Sequence, residues 1–389
     1  MSEAFSTSSS KTVLISGAGP AGLTLGLLLA RNGWQPLIVE KDQCLRGGGF
    51  LVSLADSAYT CMKALGLEQS LKARGSGITR SVYYNARQKP LLQLQTQALF
   101  GQLPVLQLMR DDLTQVLFEA AKNDLDIRMN TTLTGVFQSD ECVTATLSSG
   151  ETVHCDLLAG TDGVHSNVRT LAFPDDSVRH TYLDLHCAAF RHPNIEQMQN
   201  CFETHTQKNR YMATFTTRTD DAGSVFVWAD KHRHVDSAAR RQHLLEAFHG
   251  SHGRTQAHLE LAPNENFYYD ILEQIQLARW FHQRTVLLGD AAHCLTLFSG
   301  RGAAAAVNDA QVLAQCLTSQ PELTAALETY DESLRPSLTR MQRRTRRDVR
   351  WYVPRNSVDY GLRNLAFRLV PDQFFNRYFQ MKYSSVGSG

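Results

Sequence analysis

The first forty residues alternate between short apolar runs and a helical repeat of apolar positions. "TVLIS" (12–16) is apolar and β-branched, which is typical of a buried strand. Apolar residues then recur from Leu23 to Ala30, and this pattern ends near Gly33. A second apolar run, "PLIVE", ends in Glu40. The order strand, helix, strand predicts a βαβ unit with parallel strands.

Two later segments repeat the pattern of a buried strand that runs into a loop. "DLLAG" contains an apolar strand over 156–159, and "RTVLLGD" contains another over 285–288. The stretch "GAAAAVNDAQVLAQCL", which begins at Gly302, predicts a helix after the second strand. We therefore expect an α/β fold with one Rossmann-like sheet whose strands are far apart in the chain.

The segments between these strands have a different pattern. "SVYYNA", "RYMATFTT" and "SVFVWAD" are aromatic and β-branched runs that end at turns, which predicts an interleaved antiparallel sheet. The expected division gives a discontinuous first domain over 11–76, 104–178 and 277–324, a second domain over 77–103 and 179–276, and C-terminal helices over 325–389.

Composition sets limits on the class of protein. The 389 residues are 43% hydrophobic and 20% charged, which is ordinary for a globular chain of two domains. A net charge of +1 gives no reason to expect nucleic acid as a partner. The eight cysteines form no CxxC pair, and "MSEAFSTSSSK" is too polar for a signal peptide. We expect a cytoplasmic monomer or homodimer with no bound metal and no stable membrane insertion.

The glycines after the first strand predict a dinucleotide site. Gly17, Gly19 and Gly22 have G-x-G-x-x-G spacing. They allow a tight turn, close approach of a pyrophosphate and close helix–strand packing, while the helix N-terminus offers free N–H groups to the phosphates. Glu40, at the tip of the second strand, suits the hydroxyls of a ribose. The alternative is a glycine-rich turn in an unrelated α/β domain.

Acidic residues follow both of the later strands. Asp162 stands in "GTDGVHSNVR", and Asp290 ends the strand of "RTVLLGD". An acid at the carboxyl end of a parallel strand points into the crevice where such sheets bind ligands. The alternative is structural, because Asp162 or Ser166 could cap the helix that follows, and Asp290 could cap its loop.

These motifs resemble those of the FAD-dependent aromatic hydroxylases, the group A flavoprotein monooxygenases of the p-hydroxybenzoate hydroxylase fold. "GAGPAG" with Glu40, "GTDGVHSNVR" and "GDAAH" with "GRGAAAAVNDA" match in order and spacing, and Arg110 of "LMRDDL" fits as well. "LRGGGFLVSL", "FYYDILEQIQLARWFHQRTVLLGDAAH" and "LETYDESLRPSLTRMQ" are most similar to the branch of tetracycline-inactivating monooxygenases and polyketide hydroxylases. The resemblance is weakest over 179–265 and after residue 350.

The resemblance implies an FAD-binding first domain, a substrate-binding second domain and a transiently bound NADPH or NADH. Such an enzyme hydroxylates an aromatic or polycyclic molecule with O₂ through a flavin C4a-hydroperoxide, and the flavin carries out the chemistry. Ser53 occupies a position where some members carry an acid. The flavin contacts implied are Gly17, Gly19, Gly22, Glu40, Arg46, Ser53, Arg110, Asp162, Asp290, Gly302 and Ala303.

The resemblance also points to the flavin face and to the substrate. Leu297, Phe298 and Gly302 lie in the loop that would line the flavin, while Arg210 and Met212 would face the substrate pocket, with strand core as the alternative. The family usually has Pro, Gln and Asn where this chain has Leu297, Arg301 and Ala304. These departures leave open a reductase, a dehydrogenase or a non-catalytic FAD-binding protein that has lost oxygen transfer.

Three further stretches have ordinary explanations. "DKHRHVD" has the alternation of a metal cluster, but a solvated strand end explains it. The Arg-rich "RMQRRTRRDVRW" is typical of a solvated helix face. The basic and aromatic "LRNLAFRLVPDQFFNRYFQMKY" is amphipathic and could lie on a membrane, although we expect it to pack against the two domains.

Overall fold

The computed structural model of the chain describes residues 10–45, 50–101, 103–217 and 221–384, with side chains as far as Met381. The strands are β1 (Thr12–Ser16), β2 (Gln35–Val39), β3 (Leu51–Ala55), β4 (Arg80–Tyr84), β5 (Pro90–Gln95), β6 (Val105–Met109), β7 (Asp126–Arg128), β8 (Leu133–Gln138), β9 (Val143–Leu147), β10 (Thr152–Cys155), β11 (Leu157–Gly160), β12 (Val178–Pro193), β13 (Cys201–Gln207), β14 (Arg210–Thr216), β15 (Asp221–Ala229), β16 (Tyr268–Leu277), β17 (Phe281–His282) and β18 (Thr285–Leu287).

The helices alternate with these strands in the first half of the chain and dominate its end. They are α1 (Pro20–Arg31), α2 (Ser57–Ala64), α3 (Glu68–Ala73), α4 (Thr96–Phe100), α5 (Arg110–Ala121), α6 (Asn167–Ala172), α7 (Arg240–Ala247), α8 (Arg254–Glu260), α9 (Asp290–His293), α10 (Gly302–Ser319), α11 (Leu323–Tyr352), α12 (Ser357–Leu369) and α13 (Asp372–Ser384). Short 3₁₀ turns cover Asp175–Ser177, Ser237–Ala239 and Leu297–Ser299.

A six-stranded sheet in the order β17-β18-β11-β1-β2-β7 forms the centre of the molecule. Its strands are parallel except for the edge strand β17. Leu14 and Ile15 of β1 are fully buried, and so are Leu23, Leu25 and Leu29 of α1. The predicted α/β, Rossmann-like sheet, assembled from distant segments, is confirmed.

A seven-stranded sheet, β16-β12-β15-β14-β13-β4-β5, contains the aromatic and β-branched runs. It is antiparallel except for the parallel pair β13 and β4. Tyr211 and Ala213 belong to one apolar cluster together with Phe298, while Met212 belongs to another with residues of α7 and α8. The sheet therefore has one face toward the loop of residues 297–302 and one face covered by helices.

The C-terminal residues are helical, as predicted. Phe367 of α12 packs against Tyr83 of β4 and Phe375 of α13, with ring centroids 5.3 Å apart in both pairs. Among the described helices, none is long and apolar enough to cross a membrane. The strands of the two sheets fall within the ranges expected for the two domains, except that β12 begins and β16 ends one residue outside the second range; the domain boundaries themselves stay a prediction.

Glu203 is a buried carboxylate on the helix-covered face of the seven-stranded sheet. It pairs with Arg254 of α8 and lies 3.7 Å from Nε2 of His205. Burial alone would raise the pKa of Glu203, but the interactions with His205 and Arg254 outweigh it and lower the pKa from 4.5 to about 2. Because the folded-state pKa is depressed, this carboxylate stabilises the fold above pH 4.5, and the contribution is lost as the pH falls toward 2.

We expect Glu203→Gln to lower the free energy of unfolding at pH 7 by about 3 kcal/mol, the equivalent of the pKa shift. The difference in the free energy of unfolding between wild type and variant should shrink as the pH approaches 2. Urea titrations at several pH values measure it, with the exposed Glu265→Gln as the control. If the variant loses the same free energy of unfolding at every pH, ionisation of Glu203 does not contribute to stability.

Candidate active site

The junction between β1 and α1 has the geometry of a phosphate cradle. Gly17 has a φ of +110°, and a Cβ there would lie 2.7 Å from the carbonyl oxygen of Thr161. A Cβ on Gly22 would lie 2.0 Å from the carbonyl oxygen of Gly17. Gly19, by contrast, faces open space, and no described atom lies within 4 Å of its would-be Cβ. No side chain caps α1 at Gly19, so its first N–H groups remain available to an anion.

Glu40 lies directly beside this cradle. Its Oε2 accepts a hydrogen bond of 2.9 Å from the backbone N–H of Ala18, and its Oε1 accepts one of 3.1 Å from that of Asp42. A carboxylate has about four acceptor positions, so both oxygens keep capacity for a ligand hydroxyl. The first junction thus fits the pyrophosphate and ribose of a dinucleotide.

Replacing Glu40 with alanine should weaken FAD binding about 10- to 150-fold. A hydrogen bond to a charged group contributes about 1.5–3 kcal/mol, and at least one such bond to the ribose would be lost. Titration of the flavin-free protein with FAD measures the change, and Glu40→Gln is the control because it keeps one carbonyl oxygen. An unchanged Kd in the alanine variant would mean that Glu40 does not contact the ribose.

The second junction, from β18 to α9, brings Asp290 and Arg110 together. The Asp290 side chain is accessible, yet protein surrounds its carboxyl group on most sides; this desolvation raises its pKa, and the Arg110 guanidinium opposes the rise. Burial likewise raises the pKa of Tyr268, again opposed by Arg110. Asp290 follows a strand of the parallel sheet at its carboxyl end, where such sheets form a ligand-binding crevice, and Arg110 acts electrostatically on both Asp290 and Tyr268.

Buried polar contacts hold the loops of this crevice in place. Asp309 of α10 accepts a 2.8 Å hydrogen bond from the N–H of Gly289 and pairs with His293 at 2.6 Å. Burial lowers the pKa of His293, but Asp309 outweighs burial and raises it. Arg169 donates to the carbonyl oxygens of Ala291 and Val164, at 2.9 and 2.6 Å, and so ties the two acidic loops together. Arg169 and Asp309 both lie in the matched motifs, but the sequence alone assigned no role to either of them.

Two of the expected flavin contacts have other partners within the protein. The carboxylate of Asp162 accepts hydrogen bonds from Ser166 Oγ and from the N–H groups of 167 and 168, so the alternative of a helix cap describes its contacts. Ser53 is buried in the β3–β6 ribbon, where Gln107 Nε2 donates to its Oγ at 3.4 Å. Arg46 lies outside the described residues.

The loop before α10 forms an apolar wall. Phe298 is 4% exposed, stacks on Tyr352 with centroids 4.8 Å apart and meets Tyr211 edge-on at 5.7 Å. Leu297 begins the 3₁₀ turn, after Thr296 at a φ of +65°. α10 then begins at Gly302 with no side-chain cap, and no described atom lies within 4 Å of its would-be Cβ. A second open helix N-terminus therefore adjoins an aromatic wall.

Arg210 and Met212 lie on the face of the seven-stranded sheet that is turned away from this wall. Met212 is fully buried with Phe248 and other residues of the helix-covered cluster, and Arg210 donates to the carbonyl oxygen of His249 at 2.9 Å. Because side chains alternate along a strand, Tyr211 is the residue that reaches Phe298. Arg210 and Met212 thus lie on the opposite face of the sheet from Phe298, as the alternative of strand core expects, and their contact with a substrate stays a prediction. The strand period could have singled out Tyr211, but the pattern does not say which face meets the flavin.

The parallel sheet, the glycine cradle with Glu40 and the crevice at Asp290 define a class, the dinucleotide-binding oxidoreductases with a Rossmann-like sheet. The chain belongs to the family described as "FAD binding domain", which matches residues 10–345. The expected relationship to FAD-dependent monooxygenases and the expected binding of FAD are therefore confirmed. Within the part of the chain that the structure describes, no three His, Cys, Asp or Glu side chains are grouped to hold a metal ion.

Similar proteins bear related names. A flavin-dependent monooxygenase from an unknown prokaryotic organism is 28% identical over 84% of this chain and 86% of its own length. Aurachin C monooxygenase/isomerase from Stigmatella aurantiaca is 29% identical over 82% of this chain and 84% of its own length. 2-Heptyl-3-hydroxy-4(1H)-quinolone synthase from Pseudomonas aeruginosa is 26% identical over 97% of this chain and 98% of its own length.

Solved structures show the same fold. Tetracycline destructase Tet(51) superposes with a TM-score of 0.81 and 23% identity, covering 98% of this chain and 100% of its own. Klebsiella pneumoniae HpxO, in complex with FAD and uric acid, superposes with a TM-score of 0.84 and 18% identity, covering 97% and 98%.

Proposed function

We propose that this protein is an NAD(P)H-driven monooxygenase that uses FAD to hydroxylate an aromatic or polycyclic small molecule. The observation that carries the proposal is the approach of two helices with open N-termini: a Cβ on Gly289 would lie 3.7 Å from Ala21 of α1 and 3.4 Å from Ala306 of α10, and α10 directly follows the apolar wall of Phe298. Relatives named for an aurachin and for a heptyl-hydroxyquinolone support an apolar aromatic substrate. We place the reaction in the cytoplasm, which supplies NADPH and NADH.

Residues of this chain would hold the cofactor at its two ends. The α1 N-terminus at Gly19 and the carboxylate of Glu40 bind the pyrophosphate and the ribose, and Arg110 and Asp290 bind the part of the flavin that enters the crevice. Bound FAD would supply the redox chemistry: with NADPH or NADH as the two-electron donor, one oxygen atom of O₂ would enter the substrate through a flavin C4a-hydroperoxide and the other would leave as water.

The residues of the late loop set the electrostatics and the dryness of the site. Negative charge that develops on the flavin during reduction is stabilised by the α10 N-terminus at Gly302. Phe298, Tyr211 and Tyr352 exclude water from the reacting centre, which limits the loss of activated oxygen as hydrogen peroxide.

A second candidate function is a flavin reductase or dehydrogenase, or a non-catalytic FAD-binding protein, that has lost oxygen transfer. It is favoured by Leu297, Arg301 and Ala304, which replace the residues that the resembling family usually has in the loop and in the first turn of α10. Incubation with NADPH, ¹⁸O₂ and a panel of phenolic and polycyclic compounds separates the two candidates. A product that carries ¹⁸O supports the monooxygenase, whereas NADPH oxidation that yields only peroxide across the whole panel supports the reductase.

Leu297→Pro should raise the yield of hydroxylated product per NADPH and lower the yield of peroxide. Position 297 begins a 3₁₀ turn, where the fixed φ of proline is accepted, and the loop becomes more rigid. The substitution should also stabilise the protein by up to about 1 kcal/mol. Product and peroxide are scored per NADPH against wild type, and Leu297→Ala is the control, because it shortens the same side chain without fixing φ. A fall in coupling would show that the fixed φ of proline at position 297 does not favour oxygen transfer.

A further inference from the structure

The last helices expose most of the large apolar side chains that the described residues leave in contact with solvent. Ten such side chains are exposed in the described parts of the chain, and eight of them lie between 351 and 381. Val358 and Leu369 are 68% and 69% exposed. We name the set the C-terminal surface; it consists of Trp351, Val358, Leu362, Leu365, Leu369, Val370, Phe374 and Met381.

The C-terminal surface is not needed to pack α12 against the protein. Val358, Leu362, Leu365 and Leu369 follow one another at intervals of four, three and four residues, so they form a single stripe. The inward side of α12 is already engaged by other residues. Tyr360 Oη accepts a 2.8 Å hydrogen bond from the N–H of Ala86, and Phe367 packs on Tyr83. The outward stripe is thus a second apolar face on a helix that already has one.

Positive charge is concentrated on the same segment. Residues 340–381 contain ten arginines and three acids, a net charge of +7, although the whole chain has a net charge of +1. Two of the three acids have hydrogen-bond partners within the protein: Asp348 accepts from Tyr378 Oη, and Asp359 accepts from Asn356 Nδ2. The arginines that are exposed are Arg340, Arg343, Arg347, Arg350, Arg368 and Arg377.

We propose that the C-terminal surface binds the protein to an anionic lipid bilayer, with α12 lying in the plane of the interface. Amphipathic helices with arginines beside an apolar stripe enter the boundary between headgroups and acyl chains, and anionic lipids add electrostatic attraction. α12 and α13 are 13 residues each, which suits helices that lie on a membrane and do not span it.

Charge favours lipid over a second copy of the chain. In a two-fold dimer the same patch meets itself, so Arg368 and Arg377 would be brought toward their own counterparts. Like charges across an interface are costly, whereas lipid phosphates neutralise them. The proposal does not depend on the reaction that the protein catalyses.

The test uses the full-length FAD-loaded protein and vesicles of phosphatidylcholine, with or without phosphatidylglycerol. We expect it to sediment with the vesicles that contain phosphatidylglycerol and to be released by high salt. Trp351 reports insertion, because it is 43% exposed while Trp34, Trp228 and Trp280 are buried. Its emission should shift to the blue on binding.

Variants locate the contact. Leu362→Ser/Leu369→Ser should weaken vesicle binding at least about tenfold, and Arg368→Gln/Arg377→Gln roughly 10- to 30-fold, as expected for about 1 kcal/mol per arginine. The control is Phe137→Ser, which removes an apolar side chain that is 69% exposed on β8. All variants should keep their flavin content and thermal unfolding temperature, which shows that they fold.

Three outcomes overturn the proposal. The first is the absence of sedimentation with phosphatidylglycerol vesicles. The second is equal binding by wild type and by Leu362→Ser/Leu369→Ser. The third is a wild-type dimer that this double variant converts to a monomer without any lipid binding, which would identify a second copy as the occupant of the C-terminal surface.

Discussion

Gly19→Ala is expected to eliminate most FAD binding and to leave the fold intact. The backbone at Gly19 has a φ of −83°, which alanine adopts freely, and the added Cβ meets no described atom within 4 Å. The methyl group would instead occupy the space where the pyrophosphate must approach the α1 N-terminus. We expect the Kd for FAD to rise at least about a hundredfold, which corresponds to roughly 3 kcal/mol, with thermal unfolding of the flavin-free protein unchanged.

Gly22→Ala should damage both binding and stability, for a different reason. Its Cβ would lie 2.0 Å from the carbonyl oxygen of Gly17 and 2.6 Å from Oγ1 of Thr161, so the backbone of the cradle must shift. We expect a loss of about 2–3 kcal/mol in the free energy of unfolding of the flavin-free protein. Gly361→Ala, which meets no described atom within 4 Å on α12, is the control for both variants. If the flavin-free protein loses the same free energy of unfolding in Gly19→Ala and in Gly22→Ala, then Gly19 does not serve the pyrophosphate alone and Gly22 is not distinguished by its packing.

Phe298→Ala is expected to convert most of the consumed NADPH into hydrogen peroxide. Phe298 stacks on Tyr352 and contacts Tyr211, so its loss opens the apolar wall that we propose keeps water from the flavin. Truncation of a buried phenylalanine also costs about 3–5 kcal/mol of stability. Product, peroxide and NADPH are measured in one assay, together with flavin content.

Phe298→Leu separates the two effects of that truncation. Leucine keeps an apolar side chain of similar reach, so coupling should stay near the wild-type value while stability falls less. If Phe298→Ala couples as well as wild type when its flavin content is equal, the aromatic wall does not protect the reaction.

A good part of this architecture could be predicted from local pattern. The β1–α1–β2 unit, the positions of Gly17, Gly19 and Gly22, and the strands before Asp162 and Asp290 follow from short-range rules of burial and turn geometry. Those rules work here because the FAD-binding sheet is built from units whose chemistry lies within a few residues of each strand end.

Orientation could not be predicted in the same way. Met212 and Tyr211 are adjacent in one strand, and only the packing of α7 and α8 on one side of the sheet decides which of them faces Phe298. The sequence allows Asp162 to cap a helix or to contact the flavin; its hydrogen bonds to Ser166 and to the first turn of α6 establish the capping contacts, and the flavin contact stays a prediction.

The sequence by itself therefore determined the dinucleotide fold, the order of its parts and the residues at the strand ends. The tertiary structure alone decided that Arg110 lies within electrostatic reach of Asp290, that Arg169 joins two loops more than a hundred residues apart, and that α12 leaves an apolar stripe uncovered. The physical reason is range. Periodicity and turn chemistry act between near neighbours in the chain, whereas contacts between distant segments depend on how the sheets and helices pack.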